Sequence, residues 1–231
     1  MKKFWKEVSV QQSDAGWQVT LDGRGIKTQR GGQQVVPTQA CAQMLAKEWA
    51  AQGDEVDPKS FIFRDMADFA IDMVRPDRDG TIAKLLSYAD TDTLTYRAKP
   101  DEPLYQRQEQ MWEPLVTAFE KRHDVSVQRV SGIIHAQQPE KTMQSVRERL
   151  EQEDDFTLAA LMTLASLAAS IVVPLAVIDD EADSEAMFAA ANAEEDWQAE
   201  LWGWDAQAEQ ARKARLEAFA SAAQFAKAVR G

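Results

Sequence analysis

Residues 156–178 form a run of 23 positions without a charged side chain. A helix of that length could cross a lipid bilayer. The run is nevertheless rich in alanine, contains four Ser or Thr hydroxyls, is interrupted by Pro174 and has acidic flanks, so no basic flank sets an orientation in a membrane. We therefore predict a buried helix in a soluble protein, against which amphipathic helices pack. A membrane-attached protein that uses this run is the alternative.

The charge distribution separates one segment from the rest of the chain. The 231 residues have a net charge of −12, yet residues 151–211 contain fifteen acids and no Lys or Arg, and the remainder has 23 acids against 26 bases. Nucleic acid is not an expected partner, because phosphate binding needs clustered Lys and Arg. The acidic segment is typical either of a solvated face that maintains solubility or of a surface that steers a basic partner.

The single cysteine and the two histidines indicate neither a disulfide nor a metal site. Cys41 is the one cysteine; it lies on the apolar stripe of a predicted helix and is expected to be a small buried side chain. His123 and His135 are the two histidines, and no spacing of a metal site includes them. The basic N-terminus is not followed by an apolar segment, so it does not resemble a secretory signal. We expect no cofactor and a cytoplasmic location in a bacterium, or the mitochondrial matrix if the source is eukaryotic.

Hydrophobic periodicity predicts strands first and helices afterwards. Residues 17–21 alternate between apolar and polar side chains, and the following Asp22-Gly23 is a strong turn signal. Thr38 can cap the first helix. The fold class is therefore α+β: a small antiparallel β-rich domain at 1–58, to which a strand at 125–136 is a candidate addition, followed by a mostly α-helical bundle at 59–231. Further helices are predicted at about 60–75 (stopped by Pro76), 81–90, 102–122, 140–152, 156–178, 184–202 and 205–229.

No pattern of catalytic residues stands out. The chain lacks a Gly-x-Ser-x-Gly nucleophile elbow, and the glycines of residues 23–28 lack the spacing of a phosphate-binding loop. Carboxylate pairs are inevitable among 38 acids and are therefore uninformative. We predict that the protein is not an enzyme; an enzyme with an unrecognised carboxylate-based site is the alternative.

A cluster of tryptophans stands at a predicted helix end within the acidic segment. Its members are Trp197, Trp202 and Trp204. Gly203 suits the position after a helix and Asp205 can cap the next one, while Glu194, Gln198 and Trp202 share one helical row. The pattern indicates a helical hairpin whose tryptophans cover the apolar helix, or a binding surface, because Trp beside polar groups is common hot-spot chemistry. Both interpretations can hold together, and Trp197 is expected to be structural.

This cluster and four other stretches, in the same order, resemble one protein family. The pattern W-Q-x-E-x-W-G-x-D at 197–205 resembles the C-terminal signature of the assembly chaperones for the alpha subunit of the F-type ATP synthase catalytic head. The other similar stretches are 21–28 (the opening hairpin), 46–53 (the first helix), 88–98 and 108–115, the last containing Gln108, Trp112 and Pro114. The resemblance spans roughly residues 4–225. Departures are Gly25 and Gln29, where the family often has Pro, and Thr95, where it often has Cys.

The resemblance implies a two-domain, non-catalytic chaperone. Such a protein holds the free alpha subunit and shields the surface that will contact the beta subunit. We expect no stable membrane insertion and a monomer when the chain is free. The acidic, tryptophan-bearing helical domain is predicted to supply much of the client surface. The candidate client-binding residues are Glu194, Glu195, Gln198, Glu200, Trp202 and Asp205.

Overall fold

The computed structural model describes residues 2–132, 134–179 and 182–231. Two compact units make up the chain. The first comprises Met1–Arg78, Asp154–Ala160 and Gln224–Gly231, and the second comprises Asp79–Glu153 and Leu161–Ala223. The predicted boundary at residue 58 separates domains that fold independently. A division into compact units is a different property, so that boundary stays a prediction.

The first unit contains a small antiparallel sheet. Its strands are β1 (Val8–Ser13), β2 (Gly16–Leu21), β3 (Arg24–Gly25) and β4 (Val35–Val36). β1, β3 and β4 all pair antiparallel with β2. Asp22 and Gly23 have φ values of 49° and 78°, as a two-residue hairpin turn of the right twist requires. The predicted N-terminal sheet and the α+β class are confirmed.

Helix α1 (Gln39–Ala50) follows the sheet and begins as the sequence predicts. The backbone N–H of Cys41 donates to the hydroxyl of Thr38 at 3.0 Å. The inner face of α1 buries Cys41, Leu45 and Trp49. Its apolar stripe therefore supplies core to the first unit, and Cys41 is buried as expected.

The helical backbone continues past Pro76, so the predicted stop at that proline is wrong. Helix α2 (Ile62–Phe69) leads into a π-helical turn (Ala70–Val74), a 3₁₀ turn (Arg75–Asp77) and then α3 (Arg78–Asp90). Pro76 stands at the start of the 3₁₀ turn. The hydrogen-bond register changes there, and a residue in a first turn needs no N–H donor.

Helix α4 (Pro103–His123) and helix α5 (Glu140–Glu151) belong to the second unit. A strand does form within the predicted range 125–136, as β6 (Val130–Ser131). It pairs in parallel with β5 (Tyr96–Arg97) rather than with the N-terminal sheet. The two strands form a separate small sheet beside α4.

The uncharged run is buried as predicted, but it forms two helices instead of one. These are α6 (Asp155–Ala168) and α7 (Val172–Asp179). The break lies at Ala169, whose φ is 46°, and not at Pro174. Buried Asp92 causes it: the carboxylate accepts the Ser170 hydroxyl at 2.7 Å and the N–H groups of Ile171 and Val172 at 2.7 and 3.0 Å. Pro174 falls in the first turn of α7, where its missing N–H costs nothing.

The last three helices are α8 (Ser184–Ala191), α9 (Ala193–Trp202) and α10 (Ala206–Arg230). The single helix predicted at 184–202 is therefore divided at Asn192. The side-chain amide of Asn192 donates to the carbonyl of Phe188 at 2.8 Å, a local bond that competes with regular helix. In the part of the chain that the structure describes, no helix has both the length and the apolar character that a bilayer crossing demands.

Candidate functional site

Buried side chains of α4 fix the start of α9. The amide of Gln108, which is fully buried, accepts from the backbone N–H of Ala98 at 2.7 Å and donates to Glu194 at 2.6 Å. Four residues later, the indole N–H of Trp112 donates to the carbonyl of Ala190 at 2.7 Å. Gln108 thus ties α4 to the start of α9, and Trp112 ties α4 to the end of α8, the helix just before α9.

A network of ion pairs braces the other side of α4. Buried Arg97 donates to Glu113 at 3.1 Å, and Arg129 donates to Glu113 at 2.6 Å and also pairs with Glu120. The hydrogen bond from Arg129 holds the pKa of Glu113 below its ordinary value. Arg97 lies in β5 and Arg129 directly precedes β6. These contacts therefore anchor the small parallel sheet to α4.

Glu200 of α9 is held by an arginine of α4. The guanidinium of Arg107 donates to both oxygens of Glu200, at 2.5 and 2.7 Å. These hydrogen bonds lower the pKa of Glu200 and raise that of Arg107. The same guanidinium lies over the ring of Trp197, 5.7 Å from its centroid. Trp197 is half-buried, in agreement with the structural role expected for it.

Two arginines of α10 hold two more carboxylates of α9. Arg212 donates through two nitrogens to Asp196, both at 2.6 Å, and Arg215 pairs with Glu195. The guanidinium carbon of Arg212 also lies 5.8 Å from the ring centroid of Trp204. An open groove of about 390 Å³ between α9 and α10 is lined by some of these residues. The acidic side chains of α9 are therefore largely neutralised within the protein.

Three apolar side chains at the end of α9 remain exposed. The exposed fraction is 78 % for Trp202, 55 % for Leu201 and 39 % for Trp204; we call these three residues the α9 patch. Trp202 consequently does not cover an apolar helix, which was one of the two interpretations of the cluster. Large exposed apolar side chains grouped at one helix end make this end a candidate interaction surface.

The structure brings the six candidate residues together on one helix and the turn after it. Glu194, Glu195, Gln198, Glu200 and Trp202 lie on α9, and Asp205 precedes α10 and accepts from the N–H of Ala208 at 3.4 Å. Gly203 ends α9 with a φ of 83°, as its position in the sequence predicts.

Sequence reasoning missed the three arginines that surround α9. A hairpin turn at Gly203 brings Arg212 opposite Asp196, so the predicted hairpin contained a signal for that pair. Arg107 lies 93 positions from Glu200, and nothing in the sequence connects the two residues.

The two histidines belong to other segments of the second unit. His123 is half-buried against Phe119, with a ring-centroid distance of 4.6 Å. Exposed His135 lies 3.0 Å from the hydroxyl of Tyr96. Among residues 2–132, 134–179 and 182–231, no group of three or more His, Cys, Asp or Glu side chains could hold a metal ion.

Comparisons with known proteins agree with the resemblance. Residues 2–120 match the family of the ATP12 chaperone protein. The crystal structure of Atp12 from Paracoccus denitrificans is 32 % identical, with a TM-score of 0.94 over 99 % of this chain and 98 % of that one. The crystal structure of the Atu1473 protein of Agrobacterium tumefaciens is 30 % identical, with a TM-score of 0.93 over 98 % and 85 % of the two chains.

A mitochondrial relative is more distant. The protein atp12 of Schizosaccharomyces pombe is 25 % identical over 214 residues, which are 87 % of this chain and 74 % of the relative. Relatives thus occur both in bacteria and in mitochondria. Since the family match covers more than half of the sequence and the Paracoccus structure matches nearly all of it, the chain belongs to the ATP12 chaperone family of ATP synthase assembly chaperones.

Proposed function

We propose that the chain binds the unassembled alpha subunit of the ATP synthase and that α9 forms the centre of its client surface. The observation that supports this most is the exposure of Trp202 beside Leu201. Tryptophan offers a large rigid contact area with one polar group, and it is the residue type most enriched at interaction hot spots. The other five candidate residues, Glu194, Glu195, Gln198, Glu200 and Asp205, lie on or just after the same helix.

The exposed interface of an unassembled subunit explains why a chaperone needs such a surface. Obligate subunit interfaces are apolar, like a domain core cut in two. An unassembled subunit exposes that apolar face and is prone to aggregate. A chaperone that covers the face with a small apolar patch prevents aggregation, and the larger native interface can displace it. This role is non-catalytic and requires no cofactor.

The proposed compartment is the one in which the client awaits assembly. That is the cytoplasm for a bacterial chain and the mitochondrial matrix for a eukaryotic one, and the relatives include both kinds of source. We propose a monomer for the free chaperone.

The test measures aggregation of purified alpha subunit by light scattering, with and without the chaperone. Trp202→Ala is expected to raise the chaperone concentration needed for half-maximal protection at least about tenfold, because truncation of a hot-spot tryptophan removes much of the binding energy. Ile134→Ala is the matched control, since Ile134 is an equally exposed apolar side chain outside α9. Full protection by the Trp202 variant would remove this surface from the proposal.

A further inference from the structure

We infer that Arg107, Arg212 and Arg215 are positioning residues for client binding, which hold α9 from two sides so that the α9 patch faces the client in a fixed orientation. This inference rests on the proposed function. It assigns to Glu195, Asp196 and Glu200 a role inside the protein, as the groups that these arginines grip.

The strongest support is the geometry of the Arg107–Glu200 pair. Both carboxylate oxygens of Glu200 accept from one guanidinium, at 2.5 and 2.7 Å. Such a bidentate pair fixes orientation as well as distance. Glu200 is two residues before Trp202, so a constraint on Glu200 also constrains the exposed end of the helix.

The second support comes from α10. Arg212 and Arg215 are three positions apart and therefore share one face of that helix. They meet Asp196 and Glu195, which are adjacent in α9. Arg107 acts from α4 and this pair from α10, so α9 is held by residues of two other helices.

The length of α9 explains why it needs such support. It has ten residues, and isolated helices of that length are unstable in water. Its only fully buried residue is Ala193, at its beginning. The exposed end of α9 thus has little apolar packing to fix its direction, and the ion pairs supply that constraint.

The Arg107–Glu200 pair is expected to contribute to orientation much more than to stability. The side chain of Glu200 is 56 % exposed, and exposed ion pairs add little to the free energy of unfolding. Charge reversal at this pair is therefore expected to leave the protein folded while it releases the end of α9.

The experiment compares Arg107→Glu, Glu200→Arg and the combined exchange R107E/E200R in their affinity for purified alpha subunit. Each single reversal places like charges together and is expected to weaken binding by about tenfold or more. The combined exchange restores an ion pair with the charges swapped, and its affinity is expected to return to within about threefold of the original. Recovery identifies a pair that acts within the chain.

A matched control and a folding check accompany these variants. Lys141→Glu makes the same change in charge as Arg107→Glu and breaks the exposed Lys141–Asp124 pair of 2.8 Å at α5; its affinity is expected to be unchanged. Urea unfolding is measured for every variant. If a charge reversal prevents folding, the smaller changes Arg107→Lys and Glu200→Gln replace it, and each is expected to weaken binding with an unchanged unfolding midpoint.

Two outcomes overturn the inference while the proposed surface stands. One is unimpaired binding by Arg107→Glu. The other is a combined exchange that binds as weakly as Glu200→Arg, which would make the Glu200 carboxylate a direct client contact. If Trp202→Ala also binds normally, the proposed surface itself is wrong, and the inference is lost with it.

Discussion

At the scale of single residues, Cys41 illustrates how burial controls chemistry. Its side chain is fully buried on the inner face of α1. Burial raises the pKa of the thiol to about 12, and the negative charge of Asp154 adds to that effect. Since the thiolate is the reactive form, the folded protein should keep this cysteine inert.

We expect Cys41 to react with an aromatic disulfide reagent at least about 100-fold more slowly in native buffer than in concentrated urea, because reaction requires local or global unfolding. Absorbance of the released thiolate measures the rate at pH 8. A fast reaction of the native protein would contradict the buried position of Cys41.

The roles of side chains on α9 also differ residue by residue. The sequence predicts the tryptophan cluster, the Gly203 terminus and the Asp205 cap, because each depends on neighbours in the chain. It does not predict that the carboxylates are paired, because Arg107 is distant in sequence and reaches Glu200 only through the fold. Exposure of Trp202 is likewise set by tertiary structure, since a helical row alone does not say which side faces solvent.

At the scale of elements, the break between α6 and α7 depends on one carboxylate. Asp92 accepts from the Ser170 hydroxyl and from the N–H groups of Ile171 and Val172 through one oxygen, and from the N–H of Leu94 at 3.0 Å through the other. All of these groups are buried. Each buried donor left without a partner costs about 1–3 kcal/mol.

Asp92→Ala is therefore expected to lower the free energy of unfolding by at least about 3 kcal/mol, because several donors lose their acceptor together. Urea denaturation followed by circular dichroism measures the change. Asp101→Ala is the control, as Asp101 is exposed, and it should be close to neutral. A loss below about 1 kcal/mol for Asp92→Ala would show that water replaces the carboxylate at this site.

Elements that depend on local signals are those that the sequence predicts well. The hairpin at Asp22-Gly23, the Thr38 cap and the long helix α4 all follow from nearby residues. The divided helix does not, because Asp92 lies about 80 positions before the groups that it caps. Prolines mislead for a related reason: Pro76 and Pro174 both occupy first turns, where a missing N–H is harmless.

At the scale of the whole molecule, acid stability is expected to depend on the ion pairs around α4. Arg129 holds the pKa of Glu113 below its ordinary value of 4.5. Ionised Glu113 therefore stabilises the folded state fully above pH 4.5, and this contribution is lost as the pH falls through the lowered folded-state pKa.

We expect Glu113→Gln to make the free energy of unfolding less dependent on pH below about 4.5, since the variant no longer takes up a proton at this position on unfolding. Urea unfolding at a series of pH values from about 3 to 6 measures the slope. Identical slopes for the two proteins would mean that the Arg129–Glu113 pair does not persist in solution.

The structure also changes how the acidic segment of the sequence is interpreted. The base-free segment 151–211 suggests an open acidic face, yet Asp155, Asp179, Glu195, Asp196 and Glu200 all pair with arginines. All of these arginines, including Arg107 and Arg149, lie outside the segment in sequence, and the fold brings them to its carboxylates. What the surface of α9 offers a partner is therefore mainly its apolar patch.

We propose that the chain recognises the unassembled alpha subunit through this surface. The most direct test is titration of the purified alpha subunit, and separately of the purified beta subunit, into the chaperone in a calorimeter. We predict saturable binding to alpha, none to beta, loss of binding with Trp202→Ala, and displacement of the chaperone when beta is added to its complex with alpha. Equal binding to both subunits, or no binding to alpha, would contradict the account.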